Sequence, residues 1–172
     1  MNHVNIPQIT ICAATELRSL NPNDYTHFVS IWAAHAPKKV MTLLDSMFPS
    51  AKRHVVFFDD ITDDDANPSA PTVDNIRGII QFASLLQPEH SLLVQCLAGI
   101  SRSSACAYAI ACQHSVPGVE AEILESLVEK FPGIRPNRRI TRIADEILGR
   151  NGMMVAAVDA HLAQIAAQWR NS

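Results

Sequence analysis

Short apolar runs alternate with helical periodicities along most of the chain. Residues 9–12, 27–31, 55–58 and 92–95 are four such runs, short and rich in β-branched or aromatic side chains, and they predict strands. Residues 16–20 and 41–47 suggest short helical pieces, the second ending before Pro49. Ile76, Ile79, Ile80, Ala83 and Leu86 recur at spacings near 3.6 and predict a helix opened by Pro71-Thr72-Val73. Residues 104–114 are alanine-rich and apolar on every side, as suits a helix buried at the centre of a domain. Ile123, Leu124, Leu127, Val128 and Phe131 mark an amphipathic helix over 119–131, closed by Pro132-Gly133. Residues 137–148 and 153–169 read as two further helices parted by Gly149 and Gly152.

Strands followed by helices imply an α/β layer arrangement: a central mixed, mostly parallel sheet of four to five strands flanked by helices. The 172 residues suit one domain spanning 1–172, with no internal repeat or linker. A content of 48% hydrophobic and 18% charged residues excludes a disordered chain. The net charge of -3 provides no field for nucleic acid or an anionic membrane, so any anion site must be local. No apolar run approaches the ~20 residues of a membrane span, and the first residues lack the basic and apolar regions of a secretory signal. The expectation is a soluble cytoplasmic monomer with no nucleic-acid or membrane partner. Cys12, Cys96, Cys106 and Cys112 show no CxxC spacing, which argues for reduced thiols and against a zinc site.

The candidate chemistry lies where the fourth strand meets the central helix, in Cys96-Leu97-Ala98-Gly99-Ile100-Ser101-Arg102-Ser103. A loop from a strand into a helix N-terminus can turn successive N–H groups inward and form an anion nest, reinforced by the helix dipole. A cysteine at its mouth feels the same field, which favours the nucleophilic thiolate. The Arg102 fork matches two non-bridging phosphate oxygens. Gly99 lets the backbone turn without a Cβ.

Cys-x5-Arg-Ser in this context resembles the signature of the cysteine-based protein tyrosine phosphatases, and AGISRS is most similar to their dual-specificity branch. Phe58-Asp59-Asp60 resembles the family's general-acid loop, and Pro136-Asn137-Arg138-Arg139 the Pro-Asn element that follows the signature helices. The resemblance runs from about residue 27 to 148. It implies a dual-specificity-like fold and hydrolysis of phosphoproteins, on tyrosine or with dual specificity, through a phosphocysteine intermediate. Cys96 would be the nucleophile, and Arg102 with the amides of Leu97, Ala98, Gly99, Ile100 and Ser101 would hold the phosphoryl oxygens. Asp60 would be general acid and then base, with Asp59 the runner-up, and Ser103 would donate to the sulfur. Neither metal nor cofactor is implied. The phosphoinositide-directed relatives carry lysines within this loop; here no Lys or Arg lies between Cys96 and Arg102, so phosphoprotein is the expected substrate.

One residue departs from the family pattern: Gln95 stands where the family has histidine. An amide can orient neighbours but adds no charge, which predicts a more alkaline pH–rate limb. The alternative reading is a pseudophosphatase that binds phosphopeptides without turnover. An arsenate reductase would need a second nearby thiol, and Cys106 and Cys112 sit down a buried helix.

Other polar groups have plainer readings. Asp63, Asp64 and Asp65 suit a solvated acidic loop, and a calcium site over Asp63, Asp65 and Asn67 meets Pro68 where glycine is needed. Arg138 and Arg139 could meet a substrate acid or simply be solvated, and Asn137 reads as a helix N-cap that braces the phosphate loop. The stripe Met154, Val158, His161, Leu162, Ile165 and Trp169 should pack on its own domain, a partner surface being the alternative.

Overall fold

Four strands pair in parallel in the order β1-β4-β2-β3: β1 (Gln8–Ala13), β2 (His27–Trp32), β3 (Lys52–Phe57) and β4 (Ser91–Cys96). This computed structural model describes residues 6–63 and 66–170; Asp64 and Asp65 lie outside the described residues, so of the calcium constellation only Asp63 and Asn67 are described. The expected mixed sheet is corrected: among the described residues every strand pair is parallel. The reason is that each strand leaves the sheet into a crossover and none enters a hairpin turn.

The crossovers carry α1 (Lys39–Met47) and α2 (Val73–Ala83), and the chain after β4 is helical: α3 (Arg102–Gln113), α4 (Glu120–Lys130), α5 (Arg138–Leu148) and α6 (Met153–Arg170). The segment expected to be helical over 16–20 is a 3₁₀ stretch at Ala14–Ser19. β3 begins before the predicted run because Lys52, Arg53 and His54 are polar, which an edge strand tolerates.

Strand alternation divides the interior into two cores. Ile9, Ile11, Val29, Ile31, Val94 and Cys96 face α2, α3, α4 and α5, whereas Cys12, Phe28 and Leu93 face Leu17 and, from the α1 side, Leu44 and Phe48. The central strands β2 and β4 are buried on both faces, which explains their near-continuous apolar runs. Helix α3 lies against β4 and β1 and is ringed by α2, α4 and α5, so Arg102 through Cys112 are all buried. This placement makes an all-round apolar helix stable, and it fixes the end of β4 against the start of α3.

Helix α6 is tied on at its N-terminus. The buried Asp145 carboxylate accepts from the backbone N–H groups of Gly152 at 2.7 Å and Met154 at 2.8 Å. Met154 and Val158 are buried, whereas Trp169 near the other end of α6 is 71% exposed. The expected packing of the C-terminal stripe therefore holds for its first half.

Candidate active site

The loop between β4 and α3 is shaped by where its carbonyls go. Leu97 O accepts from Ala14 N at 3.2 Å, Ile100 O from Arg135 N at 2.9 Å, and Ser101 O from Asn137 N at 3.2 Å and Ala105 N at 3.1 Å. The Ser104 hydroxyl donates to both Ile100 O and Ser101 O. In a trans peptide the N–H points opposite to the C=O, so pinning these carbonyls outward turns the amides of Ala98, Ser101 and Arg102 to the other side. Gly99 adopts φ +70°, and a Cβ there would lie 2.8 Å from both Ala13 N and Cys12 C at the end of β1. Glycine is required twice over, by conformation and by space.

Cys96 closes β4 and is 2% exposed, its sulfur 3.1 Å from the hydroxyl of Ser103 in the first turn of α3. Arg102 is also buried; one terminal nitrogen donates to Phe58 O at 2.8 Å, while its Nε–H has no hydrogen-bond partner in the protein. The guanidinium thus bridges the β4–α3 loop and the end of the β3 segment. Burial disfavours the thiolate at the other cysteines. Burial foremost, then the charges of Glu16 and Cys96, pushes Cys12 up to about 12. Burial likewise raises Cys106, with Cys96 adding to the rise and Arg102 opposing it.

The two adjacent aspartates after β3 point to different places. Asp59 accepts from Ala34 N at 3.0 Å and its own N–H donates to Ser69 O at 2.7 Å, which ties it to the connection after β2. Asp60 reaches the β4–α3 loop: Oδ1 accepts from the Ser101 hydroxyl and from Asn137 Nδ2, both at 2.7 Å. Neither contact uses Oδ2, and Asp60 is exposed. Asn137 is buried, caps α5 by accepting from Ile140 N at 3.0 Å, and also donates to Ile61 O at 3.2 Å.

The two neighbouring arginines are engaged elsewhere. Arg139 donates to Pro71 O at 2.9 Å and Asp63 O at 2.6 Å, bracing the acidic loop, and Arg138 pairs with Asp159 on α6 at 2.8 Å.

Gln95 is fully buried, and its Oε1 accepts from Ser30 Oγ at 2.5 Å while Ser30 Oγ accepts from the Trp32 indole at 2.8 Å. An indole only donates, so the serine proton must go to Gln95, which fixes the amide orientation. Gln95 Nε2 is buried without a partner. Sequence reading passed over Ser30, Trp32, Ser104 and Arg135. Ser30 carried a usable signal, a polar residue inside an otherwise apolar central strand; the others are defined only by tertiary contacts.

Among the described residues no group of three His, Cys, Asp or Glu is arranged to hold a metal, and no helix is long and apolar enough to cross a membrane.

Comparison with known proteins gives a fold. No protein-family model matches the chain and no curated protein matches its sequence. The crystal structure of PTPMT1 superposes with a TM-score of 0.56 at 17% identity, over 84% of this chain and 94% of that one. The same protein in complex with PI(5)P gives 0.57 at 16% identity, over 83% and 90%. Tk-PTP in its active form gives 0.55 at 17% identity, again over 83% and 90%. The chain shares the α/β fold of PTPMT1 and Tk-PTP.

Proposed function

We propose that this chain is a cysteine-dependent phosphatase that hydrolyses phosphomonoesters on proteins, at tyrosine or with dual specificity, through a phosphocysteine intermediate. The observation that carries the reading is the convergence of Cys96 and Ser103, 3.1 Å apart, with a buried Arg102 whose Nε–H has no protein partner. Buried donors are ordinarily satisfied, and an oxyanion held against the loop would satisfy this one.

In the first step Cys96 Sγ attacks phosphorus as the bond to the leaving oxygen breaks, and Asp60 gives that oxygen a proton. Arg102 and the amides of residues 97–101 hold the three equatorial oxygens, whose charge the transition state spreads. In the second step water attacks phosphorus, Asp60 takes its proton, and the P–S bond breaks to return the thiolate. Ser103 donates its hydroxyl hydrogen to that sulfur. Asp60 suits the acid role because Ser101 and Asn137 hold one oxygen and leave Oδ2 for the proton. No step calls for a metal.

PTPMT1 has been solved with PI(5)P, which makes an inositol phospholipid the competing substrate class. The absence of Lys or Arg between Cys96 and Arg102 favours a phosphoprotein, because PI(5)P carries a phosphodiester charge besides its phosphomonoester and the loop offers that charge no further cation.

Hydrolysis of an aryl phosphate by the wild type and by Cys96→Ser, Arg102→Lys and Asp60→Ala tests the proposal. Turnover is expected in the wild type and its loss in Cys96→Ser; turnover surviving that change would end the covalent mechanism. Phosphotyrosine binding without turnover in the wild type would make the chain a phosphopeptide-binding module.

A further inference from the structure

Arg135 stands beside the phosphate loop. Its backbone N–H donates to Ile100 O at 2.9 Å, and two residues later Asn137 engages Ser101 and Asp60. Its side chain is exposed and turns toward α6, where the guanidinium carbon lies 5.9 Å from the centroid of the Trp169 ring. That is a cation–π contact on a tryptophan which is itself 71% exposed. Neighbouring arginines are already occupied: Arg138 by Asp159, Arg139 by the carbonyls of Pro71 and Asp63. Among the described residues no carboxylate pairs with Arg135.

The surface around this pair dips shallowly and is wide open to solvent. Arg135 and Trp169, with Leu162, Ile165 and Ala166, line a hollow of about 420 Å³. On the loop side, Ile100, whose carbonyl accepts from Arg135 N, is 44% exposed and adds an apolar rim. An arginine stacked on an indole is pre-ordered, so it loses less freedom when it binds a planar anion than a solvated arginine would. Its fork fits a carboxylate, and Trp and Arg are both enriched among the residues that carry binding energy at protein interfaces. An extended peptide spans ~3.3 Å per residue, so one seated with its phosphate on the loop would carry its neighbouring side chains across this rim.

We infer that Arg135 and Trp169 form a subsite for an acidic residue flanking the phosphorylated residue of a protein substrate, the carboxylate meeting the guanidinium and the adjoining peptide lying on the indole. The inference rests on the proposed phosphatase function and gives it a substrate preference. One exposed cation beside an apolar hollow fits a single peptide carboxylate better than a lipid headgroup that carries a phosphodiester besides its phosphomonoester.

The experiment compares two phosphotyrosine peptides that differ only in Glu or Gln at the flanking positions, by kcat/KM and by the Kd of labelled peptides, which needs no turnover. The wild type is expected to favour the Glu peptide roughly threefold to tenfold at low salt, with the preference shrinking at high salt. Arg135→Ala and Trp169→Ala are expected to bring the Glu-to-Gln ratio near one, while Trp169→Phe, which keeps a ring, retains most of it. A wild-type ratio near one in both measurements overturns the inference, as does an unchanged ratio in Arg135→Ala. Phosphatidylinositol phosphate in phosphatidylcholine vesicles forms the third arm: faster turnover there than on either peptide, lost in Arg135→Ala, would assign the pair to a lipid headgroup and also overturn it. Failure of the wild type to hydrolyse any ester, with the Glu preference intact in binding, would overturn the phosphatase reading and leave the subsite standing.

Discussion

Asn137 donates its side-chain amide to Oδ1 of Asp60 at 2.7 Å, joining residues 77 positions apart in the sequence. The neighbouring Asp59 is held by Ala34 instead. The two aspartates should therefore fail differently. Asp60→Ala is expected to cost about 10²–10³ in kcat/KM toward esters with poor leaving groups and far less toward activated ones, the signature of a lost general acid. Asp59→Ala should lower the melting temperature with an effect independent of the leaving group. A series of aryl phosphates with graded leaving groups reads both, and an equal leaving-group dependence in Asp59→Ala would reassign the acid.

Replacing Asn137 tests the brace from the other side. Asn137→Ala removes an N-cap, a change worth about 1 kcal/mol, together with a buried tie to the loop after β3. Denaturant unfolding should show a loss of about 1–2 kcal/mol. Activity should fall most for poor leaving groups, because Asp60 loses one of its two donors. A stability loss with no kinetic change would make Asn137 a cap alone.

Gly99→Ala places a methyl group 2.8 Å from the β1 backbone in a residue at φ +70°. The left-handed conformation alone costs roughly 1–2 kcal/mol for a non-glycine residue, and the end of β1 must also move. At least about tenfold loss of kcat/KM is expected, with a matching loss of affinity for inorganic phosphate as a competitive inhibitor. Unchanged phosphate affinity would mean that the loop keeps its shape without glycine.

These contacts mark where sequence reading ends. The strands, the buried α3 and the Cys96–Ser103 loop were legible because apolar periodicity and the spacing of reactive residues are local properties. Two adjacent aspartates are indistinguishable by local pattern; the distinction comes from Ala34 on one side and from Ser101 and Asn137 on the other. The polar first half of β3 was hidden because an edge strand has no need of alternation. The mixed sheet was a wrong expectation for a related reason: strand direction follows from the crossovers and is not written in the strands themselves. Ser30 matters only because parallel pairing sets it opposite Gln95.

That pairing bears on the residue departing from the family pattern. Gln95 is fully buried and bonded to Ser30, and it carries no charge. Gln95→His should move the acid limb of the pH–kcat/KM profile to lower pH, because an imidazolium beside the loop would favour the sulfur anion. The rate of iodoacetate inactivation against pH should shift in the same direction. Superimposable profiles for the two proteins would rule out this electrostatic account.

Far from the loop lies a cluster of histidines whose burial opposes their protonation. His27 is buried and sits 4.6 Å, ring to ring, from His90, while His54 stacks on Phe82. Burial first, then the charges of His90 and Lys52, lowers the pKa of His27, and burial alone lowers that of His54. A histidine with a depressed folded pKa binds protons more readily when unfolded. Its contribution is therefore fully present above the unfolded value near 6.5 and is lost progressively as pH falls below it. Melting temperature should fall between pH 7.5 and 5, and His54→Gln should flatten that slope; an equally steep slope in the variant would place the acid sensitivity elsewhere.

The last prediction concerns selectivity among four buried thiols. Cys12 and Cys112 are each pushed up to about 12, chiefly by burial, and Cys106 is raised by the same cause. None of the three lies at the end of a strand facing a helix N-terminus, as Cys96 does. Brief iodoacetate treatment of the native protein at neutral pH should therefore carboxymethylate Cys96 alone, as read by peptide mass mapping. Inorganic phosphate should slow the reaction by occupying the loop. Cys96→Ser should take up no label until denaturant exposes the remaining three thiols. Labelling of Cys106 at a comparable rate would place a second reactive sulfur beside the loop and revive the reductase alternative.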